Sequence, residues 1–245
     1  MGDIAEWLQR CQSARVAGKG IPAASLFRRM IEHDAWLVAE SHPVLGEAGT
    51  AAAYCASSLP ESEVQQRLNG LQLAAALSED VVELHLYYDR ASPPLVCDAG
   101  EAAHFRSFLK VTVVEGLLQR LFEGADMQVE KPFARLREFD EFFVLCAGGH
   151  GSGSDALLMA LAPDPSGGRK LAAAFTAQDA LQLFVVSGES DATREAISVR
   201  LSGSELFGHV AKNKELDGLV FNPSGPGQPI ALSAEAAHAV MADGG

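Results

Sequence analysis

Apolar positions first recur at helical spacing over residues 3–15, where Ile4, Trp7, Leu8 and Cys11 share one face, and Gly18 and Gly20 end the run. Pro22 suits the first turn of a second helix, whose apolar stripe is Leu26, Phe27, Met30 and Ile31. AWLVAE at 35–40 predicts a buried strand, whereas the small residues of 42–58 give no definite element. Pro60 opens a predicted helix carrying Val64, Leu68, Leu71 and Leu73 through Leu77. VVELHLYY at 81–88 is the clearest strand, β-branched and aromatic with Glu83 and His85 on the alternate face, and Pro93-Pro94 breaks it.

Further on, residues 95–97 read as a short strand and Asp98 as the cap of a helix over 99–109, with Ala102, Phe105, Phe108 and Leu109 inward. Residues 111–114 read as extended, 117–122 as helical and 127–129 as extended before Pro132. In the second half 142–147 predicts a strand, and Thr176 a cap for a helix with Ala180, Leu181 and Phe184 on one face. Ser202 or Ser204 caps another, carrying Leu206, Phe207 and Val210. Asp217-Gly218 turns the chain into the strand Leu219–Phe221. The run Asn222-Pro223-Ser224-Gly225-Pro226-Gly227 makes a corner before a last short strand. The expected core is Trp36, Val38, Leu84, Leu86, Phe105, Leu118, Phe143, Leu145, Phe184, Leu206, Phe207, Leu219 and Phe221.

The order of elements predicts an internal repeat. CDAGEAAHF at 97–105 lies over FTAQDALQL at 175–183, the run 111–132 over 199–223, and AWLV at 35–38 over FFVL at 142–145. The fold class that follows is α/β in the broad, mixed α+β sense: two tandem units, each a small mixed sheet with packed helices. The predicted domains are an N-terminal helix at 1–20, a diverged copy at 21–132 with an inserted helical segment at 43–80, and a second copy at 133–245. Residues 188–195 look like a hydrophilic insertion in that second copy.

A formal net charge of −13 adds the first functional constraint. It is shared between 1–132 and 133–245 instead of sitting in a tail, so it belongs to folded surface. Such a surface repels phosphate backbones, which disfavours nucleic acid, and attracts a basic protein. No apolar run reaches the roughly 20 residues that span a bilayer, and the N-terminus lacks the apolar core of a signal peptide. The scattered Cys11, Cys55, Cys97 and Cys146 fit reduced thiols in a cytoplasm.

Candidate chemistry is sparse. Gly151-x-Gly153-x-x-Ala156 matches a relaxed dinucleotide pattern, but Pro163 and Pro165 cut off the helix that would carry the pyrophosphate, and no Gly-Lys-Ser/Thr follows. Ser152 and Ser154 lack the flanking glycines of a nucleophile elbow, and the seven histidines show no metal-ligand spacing. No catalytic constellation, cofactor site or metal site is expected.

Three segments of the second half resemble the SseB protein N-terminal domain family: FTAQDAL at 175–181, SGSELF at 202–207 and LDGLVFNPSGP at 216–226. The resemblance covers 173–233 and fades on both sides. It implies no enzymatic activity and no cofactor. Similar domains occur in bacterial proteins linked to secretion, and some serve as immunity proteins, including one paired with a nuclease effector of a type VI system.

The expected function is therefore a non-catalytic cytoplasmic immunity protein that binds and neutralises a toxin with a basic surface, without nucleic-acid or membrane partners. The alternative is a small-molecule or regulatory module, or a secretion adaptor, using the cleft between repeats or the corner at 222–229. The expected partner surface is the acid-rich 43–80 segment and the strand after it. Glu47, Glu61, Glu63, Glu79, Asp80, Glu83 and Asp89 stand there against Arg67 and Arg90, with Leu59 and Leu71 as apolar neighbours.

Overall fold

A computed structural model describes residues 3–19, 23–39, 49–56, 58–124, 132–146, 160–163, 168–187, 196–224 and 229–242. The chain divides into two compact units, Met1–Leu109 and Lys110–Gly245. The first contains α1 (Ile4–Val16), α2 (Ala23–Glu32), β1 (Trp36–Ala39), β2 (Gly49–Tyr54), β3 (Val64–Leu68), α3 (Gly70–Ala76), β4 (Val81–Tyr87), β5 (Leu95–Asp98) and the start of α4 (Ala99–Phe122). The rest of α4 belongs to the second unit, with α5 (Pro132–Glu138), β6 (Phe142–Cys146), β7 (Ala160–Pro163), β8 (Lys170–Phe175), α6 (Gln178–Ser187), β9 (Ile197–Leu201), α7 (Gly203–Lys212), β10 (Gly218–Phe221), β11 (Ile230–Ser233) and α8 (Ala234–Ala242).

The sheet orders are β3-β1-β2-β4-β5 and β9-β6-β8-β10-β11, with β7 alongside the start of β8. In each, one pair is parallel, β2 with β4 and β8 with β10, and the other pairs along the order are antiparallel. The fold is thus mixed α/β with two similar units, as the sequence order implied.

The register of the repeat differs from the expected one. Ladder pairs Leu37↔Tyr54 and Phe143↔Phe175 match, as do Trp36↔Leu68 with Phe142↔Leu201 and Leu84↔Cys97 with Leu219↔Leu232. Cys97 therefore corresponds to Leu232, not Phe175, and TAAAYCA at 50–56 corresponds to LAAAFTA at 171–177. The described residues of the 43–80 segment, 49–56 and 58–80, hold β2, a 3-10 turn at Glu61–Glu63, β3 and α3 in place of the expected helical insertion, and three of these have counterparts in the second unit. Division at Leu109/Lys110 likewise replaces the expected boundary at 132/133. Residues 111–122 continue α4 as helix, because Val111, Val114 and Leu118 are buried at three- and four-residue spacing, which outweighs the weak helix preference of the Val-Thr-Val-Val run. The expected elements at 127–129 and 188–195 lie outside the described residues.

Helices cover one face of each sheet. In the first unit Phe27 of α2 meets Phe105 and Phe108 of α4 at 6.1 and 6.2 Å between ring centroids, and the Trp36 indole N–H donates to the Met30 carbonyl at 3.1 Å. In the second, Phe142 packs on Phe207 at 6.0 Å and Phe221 at 5.6 Å. The other face of the second sheet is covered by α6, whose Ala180 and Leu181 pack with Leu145, Ala173, Phe175 and Val220. In the first unit the corresponding face carries Leu37, Ala39, Ala52, Tyr54 and Leu59, with Tyr54 stacked on Tyr87 at 4.6 Å. Of the expected core, Phe143 and Phe184 are only partly buried.

The joint between the second helix and its sheet is repeated in detail. Asn69 and Ser202 each close a capping box, with Gln72 and Glu205. The glycine after each cap donates its N–H to the end of the preceding helix, Gly70 to the His33 carbonyl at 2.8 Å and Gly203 to the Phe139 carbonyl at 2.7 Å. A β-carbon would lie 2.0 Å from the Met30 carbonyl oxygen at Gly70 and 1.8 Å from that of Leu136 at Gly203. Gly203→Ala is expected to cost about 3 kcal/mol or more in chemical denaturation, since backbone must move. Gly116→Ala, in open space on α4, is expected to stabilise by about 0.5–1 kcal/mol.

An edge-to-face ring pair seats each of these corners, His33 on Trp36 at 4.9 Å and Phe139 on Phe142 at 4.7 Å. Burial lowers the His33 pKa below its ordinary value, against the Ala35 carbonyl and the Asp34 and Asp3 carboxylates. The unfolded chain then binds the His33 proton more readily than the folded one, so stability falls as pH drops below about 6.5, the unperturbed histidine value. His33→Phe, the residue the second unit uses, is expected to flatten that part of a denaturant-midpoint profile against pH.

Candidate functional site

Three polar side chains of the described residues converge where the parallel strands β8 and β10 end. The next residues are Thr176 and Asn222, the latter at φ 49°, a left-handed conformation that asparagine tolerates. The Asn222 Oδ1 accepts the Thr176 N–H at 3.0 Å, and its Nδ2 donates to Thr176 Oγ1 at 2.9 Å and Glu115 Oε1 at 3.2 Å. The Thr176 hydroxyl donates to the same Glu115 oxygen at 2.6 Å. Thr176, expected as a helix cap, thus serves a carboxylate on α4.

The Thr176 side chain is fully buried, so its hydroxyl meets no substrate in this conformation. The cluster is a clasp that ties α4 to the carboxyl ends of two strands. Nothing in the sequence pointed to Glu115, which lies between the 111–114 run expected as extended and the 117–122 run expected as helical, where α4 continues through both. In the first unit Cys55 and Tyr87 occupy the equivalent places, and the buried Ser58 hydroxyl lies 2.7 Å from the Cys55 carbonyl and 2.9 Å from that of Tyr87.

The acids expected to form a partner surface are scattered. Glu61 pairs with Arg67 at 2.6 Å, a ring nitrogen of His85 lies 2.9 Å from the Glu83 carboxylate, and the Asp89 carboxylate accepts the Ala91 and Ser92 N–H groups at 2.7 and 2.6 Å in the β4–β5 turn. Hydrogen bonds from Ser92 hold the Asp89 carboxyl below the usual range. Glu63 ends the 3-10 turn before β3, while Glu79 and Asp80 lie just before β4, three strands across the sheet, or roughly 14 Å at the usual strand spacing. Asp89 follows the opposite end of β4. Glu47 lies outside the described residues.

Catalytic alternatives gain no support from the described residues. All four cysteines are buried, and burial pushes the Cys11 thiol up to about 11 and those of Cys55 and Cys97 up to about 12, so they stay protonated at neutral pH. His104 stacks on Phe27 at 5.0 Å and Phe108 at 5.7 Å, which is a packing role. No group of three metal-ligating side chains comes together among the described residues. The Gly151–Ala156 pattern lies outside them, and 160–163 form a strand where a dinucleotide fold needs a helix. No helix among the described residues is long and apolar enough to cross a membrane.

Comparison with protein-family models, curated proteins and solved structures finds no match. The family resemblance rests on the three segments quoted above.

Thr176→Val keeps the shape of the side chain and removes the donor to Glu115. It is expected to cost about 1.5–3 kcal/mol, the range for a hydrogen bond to a charged group, while Asn222 Nδ2 stays on the same oxygen. Calorimetric unfolding measures it, and an unchanged transition would show that the clasp does not hold α4.

Proposed function

We propose that this chain is a non-catalytic cytoplasmic binding protein of the immunity type, which neutralises a secreted toxin effector with a basic surface, in line with the nuclease partner that the family resemblance brings. The acidity carries the reading. Residues 1–109 hold 8 Lys+Arg against 14 Asp+Glu and residues 110–245 hold 11 against 18, so both units are negative. A field of that sign speeds encounter with a basic protein and repels nucleic acid, so the protein acts on the nuclease and not on its substrate. The alternative of a small-molecule module is favoured only by the Glu115–Thr176–Asn222 cluster, and the burial of Thr176 argues against it.

Co-purification from the native host tests the reading. The expected result is one basic protein at equal stoichiometry, toxic when produced without this chain and released as salt is raised. A bound nucleotide or metal that survives purification, with no protein partner, would overturn it. On this reading, reversing Glu61, Glu63, Glu79 and Asp80 to Lys is expected to slow association and weaken its salt dependence while leaving the unfolding midpoint nearly unchanged, since all four are exposed. Stopped-flow rates at several ionic strengths measure this.

A further inference from the structure

Strands β5 and β11 are equivalents that end their sheets, and their outer edges differ. In the β10–β11 ladder the pairs Leu219↔Leu232 and Phe221↔Ile230, with the Ala234 N–H donating to the Asp217 carbonyl, are the hydrogen-bonded ones. The backbone N–H and C=O of Ala231, between them, therefore point away from the sheet. Val96 holds the same place on β5. There the first unit supplies its own cover: α1 lies against β5, and one Arg15 guanidinium nitrogen donates to the Val96 carbonyl while another reaches Glu101 at 2.6 Å.

We propose that the outer edge of β11 docks an arginine-bearing helix of another protein, in the way that α1 covers β5. Ala231 is exposed and its methyl side chain lets a guanidinium reach the carbonyl. Glu235, in the first turn of α8 and four residues on from Ala231, is the nearest carboxylate along the chain, one position before the residue that corresponds to Glu101. Its carboxyl is held below the usual range by the Ser233 hydroxyl first, and Arg169 and His238 also face it, so an incoming arginine meets an ionised acceptor in a mixed setting. An acidic chain favours a cationic occupant over a second copy of itself. The inference rests on the partner reading above and names where that partner touches.

A synthetic peptide of residues 3–17 is the probe, titrated into the full-length chain while amide shifts are followed. Shifts centred on 231–236 are expected, with binding weakened about tenfold or more by Arg15→Ala in the peptide or Glu235→Lys in the chain, as befits a charge-assisted hydrogen bond. Glu235 is exposed, so unchanged shifts elsewhere will confirm that the variant is folded. No shift at 231–236, shifts confined to 96–101 through exchange with α1, or equal binding by the Arg15→Ala peptide would overturn the proposal. So would concentration-dependent shifts at 231–236 without peptide, which would mark a contact between copies. Failure here leaves the partner reading standing, because co-purification tests that by itself.

Discussion

The contact on which both units depend is a glycine amide pressed onto the end of the preceding helix. Gly70 and Gly203 bring the backbone of α3 and α7 so near to α2 and α5 that no β-carbon fits. That approach fixes three things together. It sets the crossing of the two helices, it satisfies a terminal carbonyl of the earlier helix, and it starts the later helix at the residue where the edge strand ends. The capping box beside it satisfies the N-terminal donors that the turn leaves open. Leu73 and Leu206 then enter the core fully buried, and the strand that follows each helix begins on the correct face.

Around that shared joint the copies diverge in what covers the sheet. The second unit has 21 residues between β8 and β9 and uses α6 as a lid on the far face; the first has nine between β2 and β3 and uses Leu59 with the stacked Tyr54 and Tyr87. Edges are handled in parallel fashion. Arg67 pairs with Glu61 at the β3 edge and Arg200 with Glu141 at the β9 edge, and charges there discourage pairing with other chains. On the opposite edge of the first sheet, Arg15 of α1 reaches the outward Val96 carbonyl of β5.

Legibility followed the side chains. Strands rich in β-branched and aromatic residues, such as β4 and β10, were readable because their composition and period agree. The central strands β2 and β8 were not, since GTAAAY and KLAAAF are each half alanine, a residue with little strand preference. They are alanine because both faces are covered at close range, and Ala52, Ala53, Ala172 and Ala174 are all at most 1% exposed. Missing these two strands also put the repeat out of register, because TAAAYCA over LAAAFTA is its best-matched stretch. The 64–68 run fits helix and strand equally by its two apolar ends, and only pairing with β1 decides. The Glu115 clasp was invisible because its three members lie 46 to 107 residues apart.

The same geometry limits where a partner surface can be sought. Three of the acids that composition grouped together are already engaged locally, Glu61 with Arg67, Glu83 with His85 and Asp89 with its own turn. Others are separated by strand widths that exceed the roughly 8 Å over which exposed charges act at physiological salt. Attraction to a basic partner is thus a property of the whole surface, to which each unit contributes, and reversing any four acids lowers the net charge from −13 to −5. A slower encounter after such a change reports the field and not the place of contact. Place is set by short-range groups that must be correctly aimed, and an outward carbonyl on an exposed strand edge is such a group. An acidic field that gathers a partner from any side and a narrow edge that orients it are separable contributions, the first to the rate of association and the second to the lifetime of the complex.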